Sequence, residues 1–156
     1  MLLAILLAVV IVLALATGLV FWVRRAKACG RKIGAPAGEH DAILLGDVMC
    51  KGLITSGALG RLEFFDWGVR VRGMPLSRWV VPTWEARYEE LAIAELVTLP
   101  RSRIAVWLRL RGEASGMAFL THWSEDALRL LGEHGVPVNR SVAQVQRVED
   151  LYHLPR

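Results

Sequence analysis

The feature that most constrains this chain is an uninterrupted apolar stretch at its amino terminus, Met1 to Val23, which contains neither a charged residue nor a proline. A helix of this length spans about 35 Å at about 1.5 Å per residue, and the hydrocarbon core of a bilayer is about 30 Å thick. Because lipid offers the backbone no hydrogen-bond partners, an apolar segment of this kind has to be helical. The stretch therefore predicts a single transmembrane helix over residues 1–23.

Two other interpretations of this stretch are a cleaved secretory signal and a buried helix of a soluble domain. A secretory signal has a positively charged start and a shorter apolar run, although Ala14-Leu15-Ala16 does resemble a cleavage site. A helix of a soluble domain keeps a polar stripe, which this sequence lacks. We therefore expect an uncleaved anchor, with signal cleavage as the alternative.

The charges that follow the apolar stretch predict its orientation. The residues expected at the membrane interface are Phe21, Trp22, Arg24, Arg25, Lys27, Arg31 and Lys32. By the positive-inside rule, this cluster predicts a single-pass protein of the cell membrane, with its amino terminus outside and its carboxyl-terminal domain in the cytoplasm. The inverted orientation is the alternative. The cluster is either a stop signal alone or also a contact with anionic lipid headgroups, at about 1 kcal/mol per basic residue.

The overall charge belongs to this juxtamembrane segment. The chain has 19 Lys and Arg against 15 Asp and Glu, a formal net charge of +4. Five of the basic residues lie between residues 24 and 32, before the first acid at Glu39, so the remaining 14 basic residues face 15 acidic ones. A nearly neutral domain argues against nucleic acid as a partner. The two cysteines of the chain, Cys29 in the linker and Cys50 in the domain, are too few for a disulfide framework.

The chain after the apolar stretch divides into a linker and a domain rich in strands. Residues 24–38 mix charge, glycine and proline, which is typical of a linker. Further on, short apolar runs alternate with turn residues, which predicts strands. The clearest is Val69 to Gly73, whose valines and arginines alternate and so face opposite sides, and it predicts a hairpin with Leu59 to Phe65. Trp84 to Leu91 is compatible with a short helix or with a strand.

Three later segments complete the predicted elements. Arg103 to Arg111 alternates between apolar and mixed positions, which predicts an antiparallel strand with one buried face. Ser124, which two acidic residues follow, predicts the N-cap of a helix that ends at Gly132 or Gly135. Val142 to Leu151 predicts a short amphipathic helix.

The succession of strands and closing helix resembles a bacterial pleckstrin-homology-like (PH-like) domain over about residues 41–138. The resemblance is carried by the hairpin GRLEFFDWGVRVRG, Gly60 to Gly73, and by the helix SEDALRLLGEHGV, Ser124 to Val136. It implies an α+β, mainly-β domain over residues 39–138: an antiparallel open barrel capped by a carboxyl-terminal helix. The residues that follow, 139–156, are predicted from the sequence to be a polar tail. The resemblance also implies a role in binding lipids, peptides or proteins. Phosphoinositide binding is not implied, because position 63 is Glu where such binders carry Arg.

Residues that carry chemistry are sparse in this sequence. His40, His122, His134 and His153 lie far apart, without neighbouring ligands at metal-site spacing, so no metal or cofactor is expected. Glu85, Glu89 and Glu90 cluster, and Glu85 and Glu89 would share a face of a helix, but surface charge explains them better than acid–base catalysis. We expect the protein not to be an enzyme.

The residues predicted to bind a partner are Arg70, Arg72, Arg78 and Trp79. An exposed Trp next to Arg is typical of an interface hot spot, and the alternative is a Trp that covers an open barrel end. The sequence thus predicts a membrane-anchored, non-catalytic binding module, an accessory or scaffolding subunit of a larger membrane protein complex. Its expected partners are the bilayer, its anionic headgroups and other membrane subunits. The alternatives are a free-standing lipid or ligand sensor and a membrane-tethered enzyme.

Overall fold

The apolar stretch forms one long helix, α1, over Leu2–Lys27. It belongs to a computed structural model that describes residues 1–36, 38–50, 53–54, 60–78, 81–99, 103–113 and 116–144. The span Ile5–Arg24 is long and apolar enough to cross a membrane, and none of it is buried inside the protein. The hydroxyl of Thr17 donates to the carbonyl of Leu13 at 2.7 Å, so this polar group needs no partner from lipid. The helix continues past the predicted end at Val23, because nothing in the basic residues that follow disfavours a helix.

The remaining elements form a single sheet with one packed helix. In chain order they are β1 (Ala42–Cys50), β2 (Leu53–Ile54), β3 (Gly60–Phe65), β4 (Gly68–Gly73), β5 (Trp84–Arg87), a short 3-10 helix (Tyr88–Glu90), β6 (Leu91–Leu99), β7 (Arg103–Leu110), β8 (Gly116–Leu120), α2 (Ser124–Glu133) and β9 (Val138–Gln144). The strand order is β5-β4-β3-β1-β8-β7-β6-β9, and β2 pairs with β1. The segment with two open interpretations, 84–91, thus forms both a strand and a helical turn.

Strand β1 joins two halves of the sheet. Its first part, Ala42–Gly46, pairs with β3, and Asp47 to Met49 pair with β8. Gly46 lies at the change of partner, where a Cβ atom would stand 2.1 Å from the carbonyl oxygen of Leu120. This crossing lets the inner faces of the two halves pack around one core.

The main core lies between the two halves and is closed by α2. The fully buried side chains in it include Leu62, Phe64, Leu108, Phe119 and Leu128. The end of α2 is a Schellman motif: the N–H of Val136 donates to the carbonyl of Leu131, and that of Gly135 to Gly132, both at 3.0 Å. Gly135 has φ +79°, so the predicted helix end at this glycine is confirmed. Trp123, not Ser124, occupies the N-cap position.

The prediction that β7 is half-buried is wrong. Ala105 and Trp107, on the face expected to be exposed, are completely buried. They belong to a second apolar cluster whose other buried members are Met49, Val97, Leu99, Ala118 and Leu120. This half of the sheet is therefore covered on both faces, a tertiary fact that alternation along one strand does not report.

The sheet is mixed, whereas the resemblance implied an antiparallel barrel. Strand β9 pairs in parallel with β6, and the two end strands, β5 and β9, do not pair with each other in the part of the chain described, so the barrel is open. The direction of β9 follows from the connections. Strands β6 and β8 run the same way because each is antiparallel to β7, and α2 returns the chain to their starting end.

Because β9 starts at Val138, the sheet extends into the segment interpreted from the sequence as a polar tail. The first residues of the amphipathic helix predicted over 142–151 lie in this strand. The rest of that predicted helix, 145–151, lies outside the described residues.

Candidate functional site

The segment between α1 and β1 is bound to the sheet, although its composition predicted a linker. We call residues 28–36 and 38–41 the strap. The N–H of Arg31 donates to the carbonyl of Thr83 at 3.0 Å, and the N–H of Glu85 donates to the carbonyl of Arg31 at 2.8 Å. The strap thereby adds a short parallel bridge alongside Trp84, at the outer edge of β5. The chain therefore pairs with the sheet within four residues of the end of α1.

The side chain of Arg31 reinforces this pairing. Its guanidinium donates to both carboxylate oxygens of Glu90, at 2.6 and 3.1 Å, and to the carbonyl of Glu85 at 2.8 Å. The hydrogen bond between them raises the pKa of Arg31 and lowers the pKa of Glu90. Glu90 also accepts the N–H of Arg87 at 2.8 Å. Arg31, one of the cations predicted at the membrane interface, thus forms an ion pair with the sheet domain.

Beyond Arg31 the strap crosses the outer face of β3, β4 and β5. The N–H of Ile33 donates to the carboxylate of Glu85 at 3.0 Å. The imidazole of His40 meets the ring of Phe65 edge-on, with centroids 6.2 Å apart, and the N–H of Asp41 donates to the carbonyl of Phe64 at 2.9 Å. These contacts lead the strap from the edge of β5 to the start of β1.

Charged side chains on this outer face form two ion-paired groups. Strand register places Glu63 opposite Arg70, and Arg70 opposite Glu85. Arg70 donates from Nε to Glu85 at 2.8 Å. The carboxylate of Glu63 is completely buried, and one of its oxygens lies 2.9 Å from Nε of Arg61 and 2.6 Å from Nε of Arg72. Its other oxygen is buried without a hydrogen-bond partner.

These pairs change the interpretation of Arg70 and Arg72 as partner-binding residues. The guanidinium of Arg70 also lies 4.9 Å from the ring centroid of Phe65 and 5.5 Å from that of Trp67, and the two rings are stacked. Only 13% of the Arg70 side chain is exposed, against 32% for Arg72. The contacts of Arg70 are therefore made within the outer face, and Arg72 is the more accessible of the two. Binding of a partner by either residue stays a prediction.

The other predicted residues lie near the end of α1 and on the connection between β4 and β5. Phe21, Arg24, Lys27 and Lys32 are exposed, and Trp22 is half-buried. The side chain of Arg25 lies outside the described part of the structure. Arg78 is exposed, and Trp79 lies outside the described residues.

Sequence reasoning missed Leu76, whose side chain is 91% exposed on the connection between β4 and β5. The signal for it was a leucine among turn residues in a stretch without acids. It also missed the strap, for which the only signal was Ile33 as an isolated bulky apolar residue in the linker.

Two of the histidines, His40 and His134, and the carboxylates Glu85 and Glu90 make contacts within the fold. The imidazole of His134 stacks on the ring of Tyr88, with centroids 4.2 Å apart. The hydroxyl of Tyr88 donates to the carbonyl of Phe65 at 2.8 Å, and burial raises the pKa of this phenol. Glu85 and Glu89 do not share a helix face, because Glu85 lies in β5. Within the described ranges, no three His, Cys, Asp or Glu side chains are grouped to hold a metal. Cys29 is a buried thiol.

Comparison with known proteins gives little further information. No family model matches the chain, and no curated protein matches it. Among solved structures, the Spt16D Pob3N heterodimer is similar with a TM-score of 0.45 and 11% sequence identity. The similarity covers 69% of this chain and 58% of the solved chain, so this protein spans less than two thirds of that structure. At this TM-score the match does not establish a shared fold.

Proposed function

We propose that this chain is a membrane-anchored, non-catalytic binding module that acts as an accessory or scaffolding subunit of a larger membrane protein complex. One observation carries the proposal: the strap binds the sheet to the end of the apolar helix. The N–H of Gly30 donates to the carbonyl of Lys27 at 3.0 Å, and Arg31 is already paired with Thr83. A domain held this close to its anchor presents a defined surface to neighbours in the same membrane.

Several features support binding in preference to catalysis. The buried carboxylates Glu63 and Glu85 are each engaged by arginine at 2.9 Å or less. Ion pairs of this kind hold the outer face in one arrangement, which suits a docking surface. We retain the PH-like assignment as part of this proposal, supported by the succession of antiparallel strands and then α2. The orientation proposed with it is a cytoplasmic domain and an amino terminus outside, supported by the basic residues after the apolar span.

The test is gentle detergent extraction of the native membrane, followed by mass spectrometry of the material that elutes with the chain. We expect a discrete complex of fixed stoichiometry that contains other membrane proteins. As a matched control, Arg31→Ala removes the side-chain bonds of the strap to Glu85 and Glu90 and leaves α1 intact, and we expect this variant to form less of the complex but to remain in the membrane. A native chain that elutes alone would contradict the subunit proposal.

A second candidate function is a free-standing lipid or ligand sensor. It is favoured by Arg61 and Arg72, which lie directly opposite each other in the strand register. Their side chains are 18% and 32% exposed, and Glu63 holds both. Two guanidinium groups side by side suit an oxyanion such as a phosphate. Binding of the full chain in neutral liposomes to soluble phosphate esters, abolished by Arg72→Gln, would support this candidate over the first.

A further inference from the structure

We propose that the connection between β4 and β5, through its described residues 74–78 and 81–83, is a second contact with the lipid leaflet, in which Leu76 enters the interface and Arg78 faces the headgroup phosphates. This inference rests on the proposed membrane anchoring and names a surface of the sheet domain that the anchor holds against the bilayer. The partner is the leaflet itself.

The position of this connection relative to α1 follows from short contacts. A Cβ atom built on Gly30 would lie 3.1 Å from the carbonyl oxygen of Lys27, 3.2 Å from that of Thr83 and 3.5 Å from the Cβ of Pro82. Residues 82–83 thus lie against Gly30, which is three residues beyond the end of α1 and also lies next to the carbonyl of Lys27. Lys27 is three residues beyond Arg24, the end of the apolar span, or about 4.5 Å along the axis. The end of the connection is therefore at the level of the headgroup region, which is about 5–7 Å thick on each side.

The direction of the strap places the rest of the connection at the same end of the sheet. The bridge between Arg31 and Trp84 is parallel, so the strap runs from the helix end in the direction of β5. The start of β5 is therefore the end nearest to the helix. Strand β4 is antiparallel to β5 and finishes there, at Gly73. The N–H of Val81 donates to the carbonyl of Ser77 at 2.9 Å, which holds residue 77 close to the start of β5.

The chemistry of the connection matches a leaflet surface. Its sequence, MPLSRWVVPT over residues 74–83, contains one basic residue and no acidic residue. Leu76 is 91% exposed, and Pro75 and Arg78 are also exposed. The opposite end of the same strands carries Asp66, in the turn between β3 and β4. An apolar side chain with a neighbouring cation is the combination that binds at the interface, and an acid would be repelled by anionic lipid.

The experiment uses the full chain, purified alone and reconstituted in liposomes of phosphatidylcholine and phosphatidylglycerol. Both native cysteines are replaced by Ala, and an environment-sensitive fluorophore is attached at Leu76→Cys or, as the matched control, at Asp66→Cys. We expect the probe at 76 to emit at a shorter wavelength than the same fluorophore free in aqueous buffer. We also expect lipid-borne quenchers, but not iodide, to quench it. The probe at 66 is expected to show the opposite pattern. Near-UV circular dichroism checks that both variants are folded.

The outcomes separate this inference from the proposed function. If alkaline carbonate removes the chain from the vesicles, the anchoring itself fails. If the chain stays in the membrane but the probe at 76 is quenched by iodide like the probe at 66, anchoring stands and the leaflet contact is overturned. The second result is also the one expected if this surface is reserved for a protein subunit.

Discussion

At the scale of single residues, the sheet depends on two positions with unusual surroundings. Gly46 lies where β1 changes partner, with the Leu120 carbonyl in the space that a side chain would need. Glu63 is a completely buried carboxylate between two arginines that face each other across β3 and β4. Neither environment tolerates a change of size or charge without rearrangement of the backbone or of an ion pair.

Gly46→Ala is expected to lower the free energy of unfolding by about 2–3 kcal/mol, because the added methyl group overlaps backbone and the ring of Phe119. The control is Gly132→Ala in α2, where a Cβ atom would make ordinary contact with Val138 at 3.8 Å. This change is expected to stabilise by about 0.5–1 kcal/mol, since alanine is the better helix former. Urea unfolding of the full chain in detergent, followed by tryptophan fluorescence, measures both, and equal effects would contradict the close approach.

Glu63→Gln is expected to cost about 2–3 kcal/mol, less than a fully buried pair, because Arg61 and Arg72 keep some access to water. The loss arises from two like charges left facing each other. The matched control is Glu89→Gln, whose side chain is 74% exposed and 3.8 Å from Arg87, and no measurable change is expected there. The same unfolding experiment applies. An unchanged free energy of unfolding in Glu63→Gln would show that the arginines do not need this carboxylate.

At the scale of elements, the strap decides how α1 and the sheet are related. It satisfies backbone groups at the edge of β5, a position where an unpaired strand would otherwise be open to other chains. Its fixed points are the bridge beside Trp84 and the side-chain bonds of Arg31 and Ile33. An element with these contacts behaves as part of the sheet.

A double-mutant cycle of Arg31→Ala and Glu90→Gln is expected to give a coupling free energy of about 1 kcal/mol, typical of a partly exposed bidentate pair. Arg31→Ala is also expected to increase the hydrogen exchange of the amides of residues 31–33, while the amides of β7 stay protected. Additive single effects, or unchanged exchange in the strap, would contradict the pairing.

The same ion pair predicts a pH dependence with a definite sign. Arg31 holds the pKa of Glu90 below its ordinary value of 4.5, so the folded state binds this proton more weakly than the unfolded state. The contribution is fully present above the ordinary pKa of 4.5 and is lost as the pH falls from there through the lowered pKa. The difference in unfolding free energy between the native chain and Glu90→Gln should shrink over this range. A constant difference would show that the carboxylate is not paired.

At the scale of the whole molecule, the apolar helix and the sheet that the strap joins to it require different surroundings. The exposed surface of α1 is apolar up to Val23, before its basic last turn, whereas the sheet buries its apolar residues in two clusters. Because no residue of the span Ile5–Arg24 is fully buried by the rest of the protein, its apolar surface needs a partner such as lipid or other membrane helices. This division is the physical basis for the proposed anchoring.

The orientation is tested with a cysteine at Asp66, in the cysteine-free chain, and a membrane-impermeant maleimide. Labelling is expected only after the cells are permeabilised, because the proposed orientation, based on the basic residues after the span, places the domain in the cytoplasm. Intact-mass measurement of the purified chain is expected to include residues 1–23. Labelling of intact cells would support the inverted orientation, and a shorter mass would identify a cleaved signal.

The sequence by itself determined those structural elements that depend on residues close together in the chain. The apolar run required a helix, and alternation from Val69 to Arg72 produced a strand with buried valines. What only the tertiary structure decided involves residues far apart in the chain, such as Arg31 and Glu90, which are separated by 59 positions. Local patterns carry no information on which distant element covers a face or approaches an edge. For that reason the burial of Trp107, the docking of the strap and the parallel pairing of β9 became visible only in the folded sheet.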